Sequence, residues 1–198
     1  MPRMWMVLAL LFFVGTAAAA TPANDTLAHG ARDGAAPAWS IAVATPADWT
    51  RDCCLYARAI GVDAVLYQGE WTGKPQRVMV LNVWPQKLPT MAAEIEADHK
   101  RYLQLDPAGK VSSFAVRHRT MSCEATVYQG SDHIDDVLVF CDPGKASGVR
   151  LSWSMTVNDN DPQRRALLDD FMRVVVATRY HRDHEAHIPA HAAGPRGG

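Results

Sequence analysis

The sequence predicts an α+β domain in which helices cover an antiparallel β-sheet and the elements follow one another as strands, helix, strands, helix. Three observations predict this class. Several short segments alternate apolar and polar residues, as half-buried strands do. Turns rich in Gly, Pro and Asp separate neighbouring strands, which favours hairpins and an antiparallel arrangement. Two longer segments repeat apolar residues at helical spacing, one after each group of strands.

The first group of strands precedes the first helix. Trp39–Val43 alternates with period two, and Val62–Gln68 is a second strand candidate. Arg77–Trp84 is apolar on both faces, which is typical of a central strand. A helix then opens at Leu88-Pro89, since proline is favoured in the first turn of a helix, and it ends at Asp106.

The second group repeats this plan. Val111–His118 is a strand candidate, and Met121–Gln129 and Ile134–Cys141 flank a turn and therefore predict a hairpin. Val149–Val157 alternates most clearly, which predicts one face in the core and a polar face opposite. Asp161-Pro162 then predicts the start of the second helix, with Asp161 as its N-cap.

The N-terminal segment has the features of a secretory signal peptide. Arg3 precedes an apolar run from Met4 to Val14, and small residues follow up to Ala20. A basic residue, an apolar run and a small-residue cleavage site in this order indicate export. The apolar run is shorter than the roughly 20 residues that span a bilayer. We therefore predict a cleaved signal at residues 1–20, a periplasmic or secreted mature protein, and no membrane span after cleavage.

The mature chain divides into three predicted parts. Residues 21–37 are small, polar and rich in Pro and Gly, which predicts a disordered leader. Residues 38–180 form a single domain, and residues 181–198 form a flexible His-rich tail. The chain is 48% apolar and 21% charged, with a formal net charge of −1. This composition excludes a disordered polyelectrolyte, a collagen and a multi-pass membrane protein, and the balanced charge argues against nucleic-acid binding.

The element order resembles that of the PsbP-like α/β sandwich and of small bacterial envelope proteins of the DcrB kind. An aromatic residue just after a proline near the start, Trp49 after Pro46, and a long final helix carry the resemblance, which covers residues 38–180. It implies an antiparallel sheet between helices and a role in binding other proteins, because members of the group are mostly non-enzymatic accessory factors. It supplies no catalytic residue. The four cysteines and the His-rich tail depart from its pattern.

Four cysteines in an exported chain predict disulfide bonds. A hairpin centred on Asp132 places Cys123 opposite Cys141 and keeps the apolar residues of both strands on one face. Directly opposed strand residues approach closely enough for a bridge, so this pair is favoured among the possible connectivities. Cys53 and Cys54 remain. Because a bond between adjacent cysteines strains the backbone, one of them is a candidate to bridge to the hairpin, and redox or soft-metal chemistry is their alternative role.

The predicted tail contains four histidines spaced by three, three and four residues, namely His181, His184, His187 and His191. If the last helix continued past Tyr180, their imidazoles would line one face and could bind zinc, copper or nickel. The alternative is a solvated polar tail, which Pro189 favours. Zinc or copper at this cluster is the one candidate cofactor that the sequence offers.

Two further histidines have structural interpretations. His99 falls on the apolar face of its helix, which favours a hydrogen-bonded core residue over a metal ligand. His118 lies in a strand between Arg117 and Arg119, where a solvated edge is the simplest account.

An acidic cluster marks the predicted hairpin tip and consists of Asp132, His133, Asp135 and Asp136. Aspartate is common in turns for conformational reasons, and this explains the cluster as a turn. The same residues are also the candidate partner-binding loop of the protein, since they bring acidic side chains together at one exposed end of the hairpin.

The sequence lacks a nucleophile elbow, a phosphate-binding loop, a zinc-protease motif and a dinucleotide fingerprint. We therefore predict an exported, non-catalytic domain that binds another secreted or envelope protein. A periplasmic immunity protein that neutralises a secreted toxin and an accessory factor of an envelope complex are its two candidate forms. The alternative is a periplasmic metal-binding or redox protein that uses the tail histidines or the vicinal cysteines.

Overall fold

The structure of the protein, a computed structural model, describes residues 26–31, 36–72 and 77–182, which contain ten strands and three helices. None of these helices is long and apolar enough to cross a membrane. The strands are Thr26–Gly30 (β1), Trp39–Ala42 (β2), Thr50–Asp52 (β3), Ala64–Gln68 (β4), Arg77–Pro85 (β5), Lys110–Val116 (β6), Ser122–Gln129 (β7), Ile134–Asp142 (β8), Val149–Asn158 (β9) and Arg179–Arg182 (β10). The helices are Tyr56–Ala59 (α1), Met91–Leu105 (α2) and Arg164–Ala177 (α3).

Two antiparallel sheets organise these elements. Seven strands form the larger sheet in the order β3-β4-β5-β9-β8-β7-β6, and three form the smaller sheet in the order β1-β2-β10. Every neighbouring pair of strands runs antiparallel. The predicted α+β class, with an antiparallel sheet and helices packed on it, is confirmed.

The main hydrophobic core lies between the larger sheet, α3 and the smaller sheet. Alternate residues of β7, β8 and β9 face it, as the period of a strand requires. Trp153 of β9 and Phe171 of α3 are both fully buried within this cluster. The Trp153 indole N–H donates a hydrogen bond to Thr178 Oγ1 at 2.9 Å, so its one polar atom is satisfied despite burial.

The β7–β8 hairpin has the register that its alternation predicts. Cys123 faces Cys141, and Ala125 faces Val139. All four residues are buried on the core side. A shift of one residue would turn these side chains to the opposite face, so burial of this apolar set fixes the register.

The other face of the larger sheet, which we call the outer face, carries α1 and α2. Thr90 is the N-cap of α2, and its Oγ1 accepts a hydrogen bond from the Ala93 N–H at 3.1 Å. Ile95 is the only buried residue of α2. Because the helix buries so little of its own surface, it covers the sheet incompletely and leaves a groove beside it.

The prediction of a disordered leader over residues 21–37 is wrong for its central part. Thr26–Gly30 forms β1 and pairs with β2, and Leu27 and Ala28 are buried in the main core. This short segment has no clear alternation of its own. Its strand conformation depends on backbone pairing with β2, because an isolated strand of this length is not stable.

The C-terminal boundary of the domain also differs from the prediction. The last helix ends at Ala177, and Thr178 has the extended backbone angles φ −57° and ψ 137°. Arg179–Arg182 then forms β10 on the free edge of β2. His181 therefore lies on a strand, and the last helix does not continue past Tyr180.

The last helix begins later than predicted. Its first residue is Arg164 and its N-cap position is Gln163, so Asp161 is not the N-cap. The Asp161 carboxylate instead accepts a hydrogen bond from the Gln163 N–H at 2.7 Å. Asp161 thus shapes the turn before the helix, which is another common use of an aspartate side chain.

Candidate functional site

A groove runs between α2 and the outer face of the larger sheet, and we call it the α2 groove. Three adjacent strands supply its floor, with Trp84 from β5, Ser152 from β9, and Leu138 and Phe140 from β8. Residues of α2, among them Arg101, form one wall. Its volume of about 580 Å³ is within the range of small-molecule sites.

A second cleft, of about 560 Å³, continues the α2 groove around the start of the helix. The two clefts share Lys87 and Leu88, which belong to the connection between β5 and α2. Asp142 and Lys145 line the far end of the second cleft. The combined surface therefore extends from the middle of the sheet to the turn that joins β8 to β9.

A buried arginine holds the start of α2 against the sheet. The Arg150 side chain is only 4% exposed. Its Nη1 donates to Glu94 Oε1 at 2.5 Å, and its Nε donates to Asp142 Oδ2 at 2.9 Å. Nη1 also donates to the Leu88 carbonyl at 2.9 Å. Burial alone would lower the pKa of the guanidinium, but its bonds to Asp142 and Glu94 outweigh burial and raise that pKa.

The same acidic residue positions an aromatic side chain in the groove floor. Glu94 Oε2 accepts a hydrogen bond from Trp84 Nε1 at 2.8 Å. The Trp84 and Phe140 rings meet edge to face, with centroids 6.3 Å apart. Arg150 therefore fixes Glu94, and Glu94 in turn fixes Trp84, so the floor is ordered before any ligand arrives.

The second half of α2 is held by hydrogen bonds to β7. The Tyr128 hydroxyl donates to Asp98, and His99 Nε2 and Thr126 Oγ1 lie 3.2 Å apart. Burial and the neighbouring Asp98 carboxylate raise the pKa of the Tyr128 hydroxyl, so it remains a protonated donor. His99 is therefore hydrogen-bonded as predicted, but it is half-buried between α2 and the outer face of the sheet rather than in the core.

The charged side chains that line the two clefts are four cations and three carboxylates, so the balance of charge around the α2 groove is slightly positive. The acidic groups that line it are already engaged, because Glu94 and Asp142 pair with Arg150 and Asp98 accepts from Tyr128. By contrast, the exposed cations Lys87, Arg101 and Lys145 form no ion pair within the part of the chain that the structure describes. Their charges are free to meet an incoming acidic group.

Cys123 and Cys141 form a disulfide with an S–S distance of 2.04 Å. They lie opposite each other on β7 and β8, and both are buried in the main core. This is the pair that the sequence favours. The bond links the two strands on the core side, away from the α2 groove.

Cys53 and Cys54 are bonded to each other, and neither reaches the hairpin. Strand order gives the reason. They follow β3, which three strands separate from β8, a distance of about 19 Å at the usual strand spacing. The Asp52 carboxylate accepts hydrogen bonds from the Cys54 and Ala57 N–H groups at 3.2 and 2.8 Å, which fixes the turn that carries the pair.

The four residues of the predicted acidic loop do not act as one exposed surface. Asp135 is 3% exposed, and its Oδ2 accepts from Arg164 Nη2 at 2.5 Å, so it is a buried structural residue that links β8 to α3. Asp136 accepts from the Thr156 hydroxyl at 2.6 Å. Of these four residues, Asp132 and His133 alone are exposed, and His133 Nδ1 lies 2.9 Å from Asp159 Oδ2.

The structure describes only one of the four predicted tail histidines. His181 is exposed on β10, whereas His184, His187 and His191 lie outside the described residues. Within residues 26–31, 36–72 and 77–182, no group of three or more His, Cys, Asp or Glu side chains is arranged to hold a metal ion. The helical face that would have aligned the four imidazoles does not form at His181.

His118 does not lie on a solvated edge as the sequence suggests. Its Nε2 donates to the Thr178 carbonyl at 3.1 Å, and its Nδ1 accepts from the Met121 N–H at 3.1 Å. Burial lowers the pKa of this imidazole, and the charge of Arg179 adds to the effect. His118 therefore joins the start of β7 to the end of α3 as a neutral ring.

Sequence reasoning missed the residues that form the α2 groove. Arg150 lies on the polar face of β9, which the alternation assigned to solvent, but it is 3% exposed. One signal was available, since a strand of otherwise small polar residues carried a single large cation. The rim residues Lys87, Arg101 and Lys145 give no local signal, because only the fold brings them to the same surface.

No protein-family model matches the chain, and no curated protein matches it. Among solved structures, the chain is similar to the solution structure of cyanobacterial PsbP from Synechocystis sp. PCC 6803. The TM-score is 0.48 and the sequence identity 10%, over 77% of this chain and 96% of that chain. The resemblance is one of fold.

Proposed function

We propose that this chain is an exported, non-catalytic domain that binds another secreted or envelope protein, and that the α2 groove is its docking surface. The observation that carries the proposal is the combination of an apolar groove floor with unpaired cations around its rim. Apolar anchors supply much of the energy of protein–protein binding, and rim charges select the partner and speed its approach.

The groove is suited to binding because its walls are held in place. Arg150 ties the β5–α2 connection to the sheet, and the Tyr128 hydroxyl ties the second half of α2 to β7. A surface that is already ordered loses little conformational entropy when a partner docks. The function therefore requires no large movement of this domain.

The partner has a predictable chemistry. Trp84, Leu138 and Phe140 present an apolar floor, which accepts an aromatic or aliphatic side chain. Lys87 and Arg101 stand on its rim and favour carboxylates on both sides of that anchor. We expect the partner to insert an acidic segment that carries one large apolar residue.

Export is the second part of the proposal. The chain carries a signal-like N-terminus, and two disulfide bonds are present, which fit an oxidising compartment. A periplasmic immunity protein that neutralises a secreted toxin is one form of this function. An accessory factor of an envelope complex is the other, and the identity of the partner distinguishes them.

The test is affinity capture of the mature protein from its native envelope, with two matched charge-reversal variants. The groove variant carries Lys87→Glu and Arg101→Glu. The control carries Arg58→Glu and Lys110→Glu, two exposed cations on α1 and β6 that lie away from the groove. Both variants change the net charge equally, so a general charge effect acts on both alike.

We expect a partner that the wild-type and control proteins retain and that the groove variant binds about tenfold or more weakly, because like charges at an interface cost several kcal/mol. Titration of the identified partner then measures the three affinities, and its segment should be acidic. Equal binding of the partner by both variants would exclude the α2 groove as the docking surface.

A further inference from the structure

A third cleft lies on the solvent side of α3, and we call it the α3 cleft. Met172, Val176 and Ala177 of α3 supply its apolar lining, and Arg119 of the β6–β7 connection stands beside them. Its volume of about 690 Å³ is within the range of small-molecule sites. It shares no residue with the α2 groove or with the cleft that continues that groove.

The apolar lining of the α3 cleft forms a strip along the helix. Met172 and Val176 are four residues apart and are therefore neighbours on the helix surface. The lining residues of α3 span positions 169–177, a length of about 12 Å at the helical rise. Val176 is 39% exposed, because the core side of α3 is formed by other residues, namely Leu167, Phe171, Val174 and Val175.

Two arginines meet at the C-terminal end of this strip. The carbonyl of Thr178 accepts one hydrogen bond from His118 Nε2 at 3.1 Å and another from Arg179 Nη1 at 2.9 Å. Arg119 follows His118 in the chain, so this shared carbonyl brings Arg119 and Arg179 to the same end of α3. Both side chains line the cleft.

The positive charge at this end has no carboxylate partner. Arg119 is exposed and forms no hydrogen bond or ion pair within the part of the chain that the structure describes. The Arg179 guanidinium donates to the carbonyls of Val176 and Thr178, which are neutral groups and leave its charge uncompensated. An incoming anion therefore meets two guanidinium groups.

The opposite end of the α3 cleft does not attract an anion. Asp169 lines that end, and Arg173 is already paired with Asp170. The described lining thus carries an acid at one end and unpaired cations at the other. This polarity fixes the orientation of an amphiphilic ligand.

The charged end is ordered before a ligand binds. Thr178 is fully buried, and its hydroxyl accepts from Trp153 Nε1 at 2.9 Å and donates to the Val174 carbonyl at 2.8 Å. The Thr178 carbonyl, which holds His118 and Arg179, is therefore fixed in position. A ligand that binds here loses little affinity to further ordering of the protein.

The lining also selects the chemistry of the ligand. A guanidinium presents a planar fork of N–H donors that matches the two oxygens of a carboxylate. The side chains of Met172, Val176 and Ala177 carry no N–H, O–H or carbonyl group, so they offer no partner to the peptide groups of a protein segment, which are costly to bury unpaired. An alkyl chain needs no such partner.

We propose that the α3 cleft binds one free fatty-acid anion. Its carboxylate lies between Arg119 and Arg179, and its alkyl chain extends along Val176 and Met172 towards Asp169. The site goes beyond the proposed docking function and does not depend on it.

The test is titration of the mature full-length protein with sodium octanoate, followed through the NMR signals of the Met172 and Val176 methyl groups. Two further probes separate the parts of the ligand, since octan-1-ol has the chain without the charge and acetate has the charge without the chain. The variant is Arg119→Gln. Its matched control is Arg165→Gln, which changes an exposed arginine in the first turn of the same helix that does not line the cleft.

We expect octanoate to shift both methyl signals. Octan-1-ol, which lacks hydrogen bonds to a charged group, and acetate, which buries no chain, should each bind at least about tenfold more weakly. Arg119→Gln should weaken octanoate binding about tenfold, because one hydrogen bond to a charged group is lost, whereas Arg165→Gln should bind octanoate as the wild type does. Arg119 is exposed and has no described partner, so its replacement should leave folding unchanged.

The proposal is overturned if octanoate shifts neither methyl signal, if octan-1-ol or acetate binds as tightly as octanoate, or if Arg119→Gln binds octanoate as tightly as the wild type does. Sedimentation with phosphatidylglycerol vesicles separates a free ligand from a membrane surface. Binding to the vesicles without binding of octanoate would overturn the proposal in favour of a lipid surface. None of these results bears on partner capture by the α2 groove, so the two proposals can fail independently.

Discussion

Arg150 shows how a single side chain can determine the position of a helix. It is buried, yet each of its strong bonds reaches a different segment, with Glu94 on α2, Asp142 at the end of β8 and Leu88 between β5 and α2. A buried cation is tolerated because carboxylates pair with it and further hydrogen bonds satisfy its remaining donors. The α2 groove depends on this arrangement.

Replacing Arg150 by Met is expected to destabilise the protein by about 3–5 kcal/mol, because Glu94 and Asp142, whose side chains are only 11% and 19% exposed, then lose their cation. Urea unfolding at pH 7 measures this loss. The triple variant Arg150→Met, Glu94→Gln, Asp142→Asn removes all three charges and should recover part of the lost stability. A loss below about 1 kcal/mol for Arg150→Met alone, the size of an exposed ion pair, would contradict the structural role.

His118 should make stability depend on pH. Because its pKa is lowered in the folded protein, the unfolded chain takes up a proton first as the pH falls. The contribution of His118 is therefore complete above its unfolded pKa of about 6.5 and is lost as the pH falls from there towards the folded pKa. Unfolding measured between pH 7.5 and 5 should show a smaller decrease in stability for His118→Gln than for the wild type.

The control for this prediction is His29→Gln, which changes an exposed histidine with no described partner. This variant shows how much of any change follows from the loss of a histidine side chain rather than from the bonds that His118 makes. If His118→Gln and the wild type lose stability in parallel, His118 does not contribute to the pH dependence.

At the scale of elements, the β7–β8 hairpin is a case in which the local sequence pattern is enough to predict the pairing of two strands. Its turn position and its apolar alternation determine the register, and the register alone brings Cys123 opposite Cys141. Strands β1 and β10 illustrate the reverse. Each is short, and each becomes a strand only by pairing with an edge of β2. The local sequence pattern does not predict this pairing.

The two disulfide bonds should differ in their effect on stability. Cys123–Cys141 has a sequence separation of 18, whereas Cys53–Cys54 has a separation of 1. In the chain-entropy account, a disulfide that closes a loop of about the size of the Cys123–Cys141 loop stabilises the folded state by about 3 kcal/mol. The Cys53–Cys54 bond closes almost no loop and should contribute little. Urea unfolding should therefore show a loss of about 3 kcal/mol for Cys123→Ala with Cys141→Ala.

The matched control is Cys53→Ala with Cys54→Ala, which also removes one bond and two sulfur atoms. Its loss of stability should be clearly smaller. Equal losses for the two double variants would show that loop length does not explain the contribution of the hairpin bond.

At the scale of the whole molecule, the domain has a closed side and an open side. The inner face of the larger sheet is sealed by α3 and the smaller sheet, and this side carries the core. The outer face is only partly covered by α2, and this side carries the groove with its unpaired cations. The two faces of the larger sheet therefore differ in role. The inner face contributes the hydrophobic core, and the outer face carries the groove that we propose as the docking surface.

Export should be visible in the mass of the protein isolated from its native cell. We expect the chain to lack residues 1–20 and to weigh four hydrogens less than the reduced form, because all four cysteines are bonded. Intact mass spectrometry with and without a reductant measures both properties. A protein that retains residues 1–20, or that carries four reactive thiols, would contradict export into an oxidising compartment.

By itself the sequence determined the fold class, most of the strands, the approximate helices and the hairpin register, because these depend on periodicity and turn chemistry within short segments. The tertiary structure alone decided that Thr26–Gly30 pairs with β2, that Arg150 is buried, and that Cys53 is too far from the hairpin to bridge to it. Each of these depends on the order of strands in a sheet. Local periodicity carries no information about that order, since the same alternating strand can pair with different neighbouring strands.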